Sequence, residues 1–313
     1  MLITAAVCTW NRAELLKQCL EQLTKIVIPL NINWELLVVN NNCTDATDQV
    51  IASLADRLPI RRLFESKQGI SNARNRVLSQ AKGDYILFID DDVLIKEDLL
   101  VAYLKVIETN IPNIAFMGGP IDVYFPQAPD AALVSAIPTV GDGFCGRSVM
   151  QDKVIESAAD YMPNGANFVL CSKLVKGVTF NTNLGPVGRQ RICGEELNYF
   201  RDLLKKGLKG YWTASACVRH YVPPSRFSLA YLTEHLFGLG RTAVRLNGIP
   251  SQDRFSETFA RLSKIILKNG LNVIRYRIFF NRRDCLFYYA QFLIKLGTAY
   301  EYLQQSFKTH FGF

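Results

Sequence analysis

Gly83-Asp84-Tyr85-Ile86-Leu87-Phe88-Ile89-Asp90-Asp91-Asp92 decides how this chain is read. The run 85–89 is short and continuously apolar or aromatic, which is the pattern of a buried strand. Three carboxylates follow at once, delivered to one place at the mouth of that strand. Two unit charges about 4 Å apart repel by roughly 1 kcal/mol in water and by about 4 kcal/mol at the effective dielectric of a protein surface. A divalent cation would remove that cost. Magnesium and manganese prefer oxygen ligands, take one or two protein carboxylates, and keep positions open for water and phosphate. The competing reading is a solvated acidic turn, or a helix beginning over 91–97 whose dipole the acids complement. On these residues alone the two stand level.

Working outward towards the N-terminus, β-branched or aromatic runs at 2–8, 35–39 and 61–64 alternate with helical apolar spacing at 13–23, 46–54 and 71–80. Thr44 or Asp45, and Ser71, stand where N-caps belong. The order βαβαβαβ predicts an α/β fold with a parallel sheet wrapped by helices. In open sheets of this kind ligands sit beyond the carboxyl ends of the strands. That places Thr9-Trp10-Asn11-Arg12, Asn40-Asn41-Asn42, residues 65–69 and the Asp triplet around one crevice.

Towards the C-terminus the pattern is mixed: strands are expected at 114–117 and 167–170, a Pro- and Gly-rich connection over 118–146, and a loop over 182–194. A helix opens at Glu195-Glu196. Acids in a first helical turn usually serve the dipole, but a carboxylate at a cleft edge can also take the proton of an attacking hydroxyl, typically worth about 10² to 10⁴ in rate. His220 follows an expected strand over 210–218, and a neutral imidazole there could complete a metal site begun by Asp92. From Pro223-Pro224 onward the chain reads as helical, with one stripe of Leu229, Leu232, Leu236 and Leu239 and another of Leu286, Ala290, Leu293, Leu296 and Tyr300.

Bulk properties narrow the classes further. With 313 residues, 49% of them hydrophobic, the chain can bury a full core. Residues 226–313 hold 13 Lys+Arg against 5 Asp+Glu, which accounts for the whole net charge of +8. The body over 1–225 is therefore neutral, unlike a nucleic-acid enzyme with charge spread around its groove, so no nucleic-acid partner is expected. Eight cysteines without a Cys-x-x-Cys pair suggest neither a disulfide framework nor a thiolate zinc site. The first segment lacks the charged start and long apolar run of a secretory signal, so a cytoplasmic location is expected. Gly141-Asp142-Gly143-Phe144-Cys145-Gly146 matches the dinucleotide fingerprint by letter, but its Pro-rich setting does not supply the strand and helix that give the motif meaning.

Taken together, these segments resemble the inverting family-2 glycosyltransferases of GT-A fold. The resemblance rests on Val7-Cys8-Thr9-Trp10-Asn11-Arg12, the run 35–45, Gly69-Ile70-Ser71-Asn72-Ala73-Arg74-Asn75, the run 83–92, Gly118-Gly119-Pro120-Ile121, Gly165-Ala166-Asn167, Gly194-Glu195-Glu196 and His220. It implies a Rossmann-like, mostly parallel sheet sandwiched by helices over 1–225, with a nucleotide-binding half (1–118) and an acceptor half (119–225); the basic C-terminal helical region read from charge and periodicity (226–313) lies outside it. It further implies that Thr9, Trp10, Arg12, Asn40, Asn41 and Arg74 surround the base and ribose, that Asp90 faces the ribose, and that Asp91 lies between Asp90 and the metal ligand Asp92. His220 would be a second ligand to Mn2+ or Mg2+, or touch the diphosphate. Gly165 and Asn167 would lie by sugar and acceptor, and Glu196 would be the base, with Glu195 the alternative. The family usually carries aspartate at the place of Asn40 and a Glu-Asp pair at the place of Glu195-Glu196. An asparagine accepts a hydrogen bond from a base more weakly than a carboxylate does, which leaves the identity of the base open.

The activity implied is inverting transfer from a nucleotide-diphosphate sugar, a UDP-sugar, to a carbohydrate or lipid-linked glycan acceptor in polysaccharide biosynthesis. Two other readings stand beside it: a nucleotidyltransferase acting on a sugar phosphate, and a nucleotide-sugar-binding protein without catalysis. In the basic region, Arg275, Arg277, Arg282 and Arg283 lie among Tyr276, Phe279, Phe280, Phe287 and Tyr288. That composition suits the cytosolic face of an anionic membrane, and equally suits packing on the body or on the second subunit of a homodimer.

Overall fold

The computed structural model describes residues 1–188, 190–248 and 252–311. In chain order it contains β1 (Leu2–Thr9), α1 (Ala13–Leu23), β2 (Asn33–Asn40), α2 (Thr47–Ser53), β3 (Ile60–Phe64), α3 (Ile70–Gln80), β4 (Tyr85–Asp90), β5 (Val93–Leu94), α4 (Leu99–Glu108), β6 (Ile114–Gly118) and β7 (Ile121–Tyr124). Two short helices, α5 (Ala131–Ala136) and α6 (Pro138–Gly141), follow; then β8 (Lys153–Ile155), β9 (Asn167–Cys171), α7 (Glu195–Lys205), β10 (Lys209–Trp212) and β11 (Val218–Tyr221). Three long helices close the order: α8 (Leu229–Asn247), α9 (Gln252–Ile278) and α10 (Arg282–Phe311).

The chain forms two compact units. The first comprises 1–124, 145–182 and 195–222; the second comprises 125–144, 183–194 and 223–313. In the first unit an eight-stranded sheet runs in the order β3-β2-β1-β4-β9-β6-β10-β8. β1, β2, β3 and β4 are mutually parallel, as the βα alternation demands, and β6 and β10 also pair in parallel. β9 enters antiparallel between β4 and β6, and β8 closes an edge antiparallel to β10. The strands read as continuous apolar runs because both sheet faces are covered. Ala5, Val7, Leu36, Val38, Leu87 and Ile89 point into one core, and Ala6, Leu37, Val39, Ile86 and Phe88 into the other.

A second sheet of three strands, β5-β11-β7, lies beyond the acidic turn. Its register opposes His220 to Val93 across an antiparallel pair. The expected strand over 210–218 is in fact two, β10 and β11, belonging to different sheets. They are parted at Ala214, whose N–H is taken by Asp152 Oδ1 at 2.7 Å. His220 therefore lies within a strand rather than after one. No helix covers 91–97; the acids occupy a turn between β4 and β5. Gly141 ends α6 and Gly143 and Phe144 follow with φ of 54° and 69°, so the dinucleotide-like letters open no helix.

The second unit packs α5 and α6 with α8 and α10 around Leu133, Val140, Leu232, Leu236, Ala290 and Leu293. Gly240 and Gly297 allow α8 and α10 to touch backbone to backbone: a Cβ on either would run into the carbonyl oxygen of Ile294 or of Phe237. Arg241 and Arg245 of α8 both grip the buried Glu301 of α10, each at 2.7 Å. Among the described residues no helix is long and apolar enough to cross a membrane.

Candidate active site

Strand register assembles the site. β1 and β4 align Cys8 with Asp90, which leaves Thr9 beside Asp91, and Thr9 Oγ1 donates to Asp91 Oδ2 at 2.7 Å. Arg12 follows one turn on, at the N-terminal boundary of α1, and its Nη1 bridges Asp91 Oδ1 at 2.9 Å and Asp92 Oδ2 at 3.0 Å. From the second sheet, His220 Nε2 reaches Asp92 Oδ1 at 3.4 Å, with both side chains buried. The same pairing is fixed by the backbone, since Tyr221 N–H donates to Asp92 O at 2.9 Å.

On the other side of the triplet stands Arg74 of α3, buried to 2% exposure. Its Nη1 donates to Glu195 Oε1 at 2.8 Å, and its Nη2 lies 3.4 Å from both Asp90 Oδ1 and Gly165 O. The guanidinium rests over the rings of Phe168 and Phe180, 5.5 and 5.6 Å from their centroids. Glu196 Oε1 accepts from Gly165 N–H at 2.9 Å. Gly165 is required for this approach, because a Cβ there would collide with the Arg74 guanidinium and with Glu196 Oε1. Gly194, with φ of 87°, turns the chain into α7 so that both glutamates fall in the first helical turn.

The remaining expected residues divide into two groups. Trp10 is half-buried, and its indole N–H is buried with no acceptor. Asn40 is buried, its Oδ1 taken by Cys43 N–H at 2.7 Å and its Nδ2 donated to Asp48 at 2.8 Å. Asn41 is likewise spent on backbone, donating to Glu65 O and Lys67 O and accepting from Gly69 N–H. Asn167, expected beside sugar and acceptor, is fully buried. Its Oδ1 accepts from Tyr103 Oη at 2.7 Å and its Nδ2 donates to Ala216 O at 2.7 Å, so it braces the sheet. Two further residues of these segments, given no role in the site by the sequence, brace the same loops. Asn11, at φ 51°, accepts from Thr44 N–H, and Asp45 accepts from Ala13 N–H, tying the loop after β1 to the loop after β2. Their only sequence signal is the turn preference of Asn and Asp.

Electrostatics follow from burial. Asp91 is pushed up to about 6 by burial, against the pull of Arg12. Asp90 is also raised by burial against Arg74, a push softened because a third of its side chain is open to water. Burial favours the neutral His220 ring, but the adjoining Asp92 carboxylate outweighs it and lifts the imidazole to about 10. Glu195 is raised well above the carboxylate range, first by burial and then by the charge of Glu196, against Arg74. Glu195 and Glu196 each keep one buried oxygen, Oε2, without a hydrogen-bond partner.

The donor set fits a hard divalent cation held in part by substrate. Asp92 offers an oxygen and His220, once its imidazole has lost the proton it shares with Asp92, a nitrogen beside it, while among the described residues no three His, Cys, Asp or Glu side chains form a cage of their own. Magnesium and manganese sites of this economy complete their shell with water and phosphate.

A mostly parallel sheet ending in an acidic triplet, crossed by an antiparallel strand and accompanied by a small second sheet, is the arrangement of the GT-A fold. Residues 4–126 match the model of glycosyl transferase family 2. The chain is 27% identical over 251 residues to the succinoglycan biosynthesis protein ExoM of Rhizobium meliloti, a match covering 78% of this chain and 74% of the relative. The fold is shared with residues 1–349 of S. aureus TarS, at TM-score 0.55 and 14% identity over 98% of this chain and 92% of that one. It is shared too with the mannosyltransferase PcManGT of Pyrobaculum calidifontis, solved with GDP-Man and Mn2+, at TM-score 0.56 and 15% identity over 97% and 87%.

Proposed function

We propose that this chain transfers a sugar from a nucleotide diphosphate, a UDP-sugar, to a carbohydrate or lipid-linked glycan acceptor, inverting the anomeric centre, in the assembly of a polysaccharide. The observation that carries the reading is the convergence on one place of Asp90, Asp91, Asp92, Arg74, Glu195, Glu196 and His220, side chains drawn from four separate stretches of chain. The setting is supported by ExoM, a succinoglycan biosynthesis protein, and the donor class by TarS, which has been solved with UDP-GlcNAc. In this reading residues 1–118 hold the nucleotide, 119–225 the acceptor, and 226–313 form a basic helical region.

Asp92 and His220 would hold the divalent ion, Mn2+ or Mg2+, which supplies charge neutralisation for the departing diphosphate. Thr9, Arg12, Trp10 and Asp90 bound the nucleotide side, with Asn40 and Asn41 shaping the loop beneath it. Glu196 is the base. Its Oε1 is fixed by the Gly165 N–H, so its second oxygen is the one that takes the proton as the acceptor hydroxyl attacks the anomeric carbon and the bond to the diphosphate breaks. Glu195, paired with Arg74, stands next to Glu196 in the first turn of α7. A panel of nucleotide sugars with manganese, scored by release of free nucleoside diphosphate and by the anomeric configuration of the product, tests the proposal. Release of nucleoside diphosphate with one donor and an inverted product is expected; pyrophosphate release, or none of these with any donor, contradicts it. Chelation of the metal should abolish release, and Asp92→Asn should bring binding of the nucleotide down to its chelator-treated level.

A further inference from the structure

We propose that α9 and its turn into α10 form a docking surface for an anionic lipid membrane, lying in the plane of its headgroups. The inference rests on the second unit alone and is independent of the transfer reaction.

α9 has a buried side and an exposed one. Leu262 and Asn269 lie on the side that is buried in the second unit. The other side carries Leu267, Leu271, Ile274 and Ile278, each more than half exposed, at the spacing i, i+4, i+7, i+11 that makes one straight stripe along a helix. The stripe runs into Phe279 and Phe280, exposed to 70% and 94% at the turn, where Phe280 adopts φ of 54°, a conformation uncommon for an aromatic residue. Contiguous apolar surface of this kind on a folded unit marks a place where something binds.

Charge identifies the occupant. Between 258 and 283 the sequence has seven Lys and Arg and no acid at all. At 100° per residue, Lys264, Lys268 and Arg275 line one flank of the stripe and Arg277 the other, so cations stand where headgroups would lie when the apolar residues enter the acyl boundary. A second copy of the chain would bring the same cations against these, and two like-charged rims repel. A nucleic acid would use the charges and leave six apolar side chains in water. None of the described helices is both long and apolar enough to cross a membrane, which favours the in-plane arrangement.

Co-sedimentation of the full chain with vesicles tests this. Binding is expected to vesicles of phosphatidylcholine with phosphatidylglycerol, to weaken with added salt, and to be absent with phosphatidylcholine alone. Replacing Arg275 and Arg277 together by Gln should lower partition about 30-fold, taking ~1 kcal/mol per cation. Phe279→Ser with Phe280→Ser should lower it at least about tenfold. All four side chains are exposed, and unchanged circular dichroism would show that the variants fold. Equal binding to both vesicle types, or no binding by the unaltered chain, overturns the proposal. So does a concentration-dependent dimer that the same substitutions abolish, which would assign the stripe to a second copy.

Discussion

Arg74 joins the two halves of the acidic site: one guanidinium, buried over two phenylalanine rings, faces Asp90 at the strand tip and Glu195 at the start of α7. An unpaired charge so deeply buried would be costly, so Arg74 and its acids hold one another in place. The pairing also sets the glutamates apart from each other. Glu195 is lifted well above the carboxylate range by burial and by its neighbour's charge, against the pull of Arg74, which favours its charge-free form. Replacing Glu196 by Gln keeps the shape and the Gly165 contact region but removes the proton acceptor. Transfer should fall by about 10² to 10⁴ while nucleotide affinity stays within about twofold, measured by turnover and by titration calorimetry. A fully active Gln variant would move the base to Glu195.

At the scale of elements, the second unit depends on close crossings and on one buried histidine. Gly240→Ala would drive a methyl group into the Ile294 carbonyl across the α8–α10 crossing. Overpacking of this kind typically costs about 1–3 kcal/mol, so the variant should unfold at a measurably lower denaturant concentration. His235 is packed against Phe144 and Tyr231, and burial, with Arg191 and Arg226 nearby, lowers its pKa from 6.5 to about 4. The unfolded chain therefore takes up this proton first as the pH falls. The neutral ring's contribution is intact above pH 6.5 and is lost progressively down to about 4, by up to roughly 3 kcal/mol. His235→Gln should flatten this part of the acid-side decline in the thermal midpoint, and an unchanged pH dependence would show that His235 is not its source. Local elements such as β1 to β4 and α1 to α3 were legible because each is a short periodic pattern with its own turn residues. The break between β10 and β11 was not, because it is set by Asp152, some sixty residues away in the chain.

For the molecule as a whole, topology decides what sequence order hides. The residues after β1, β2 and β4 meet because parallel strands end on one side, and that much follows from the βα alternation. That His220 would meet Asp92 needs the pairing of β11 with β5, a register between strands more than 120 positions apart that no local pattern encodes. The hydrogen bonds that Asn167 makes with Tyr103 and Ala216 are non-local in the same way. The central claim is that a nucleotide diphosphate and its cation are gathered at Asp92 and His220 with Glu196 nearby. Anomalous diffraction from crystals grown with UDP and manganese tests it most directly. The account predicts one manganese peak within coordinating distance of both Asp92 and His220, with the diphosphate beside it. A nucleotide and metal bound anywhere else on the chain would contradict it.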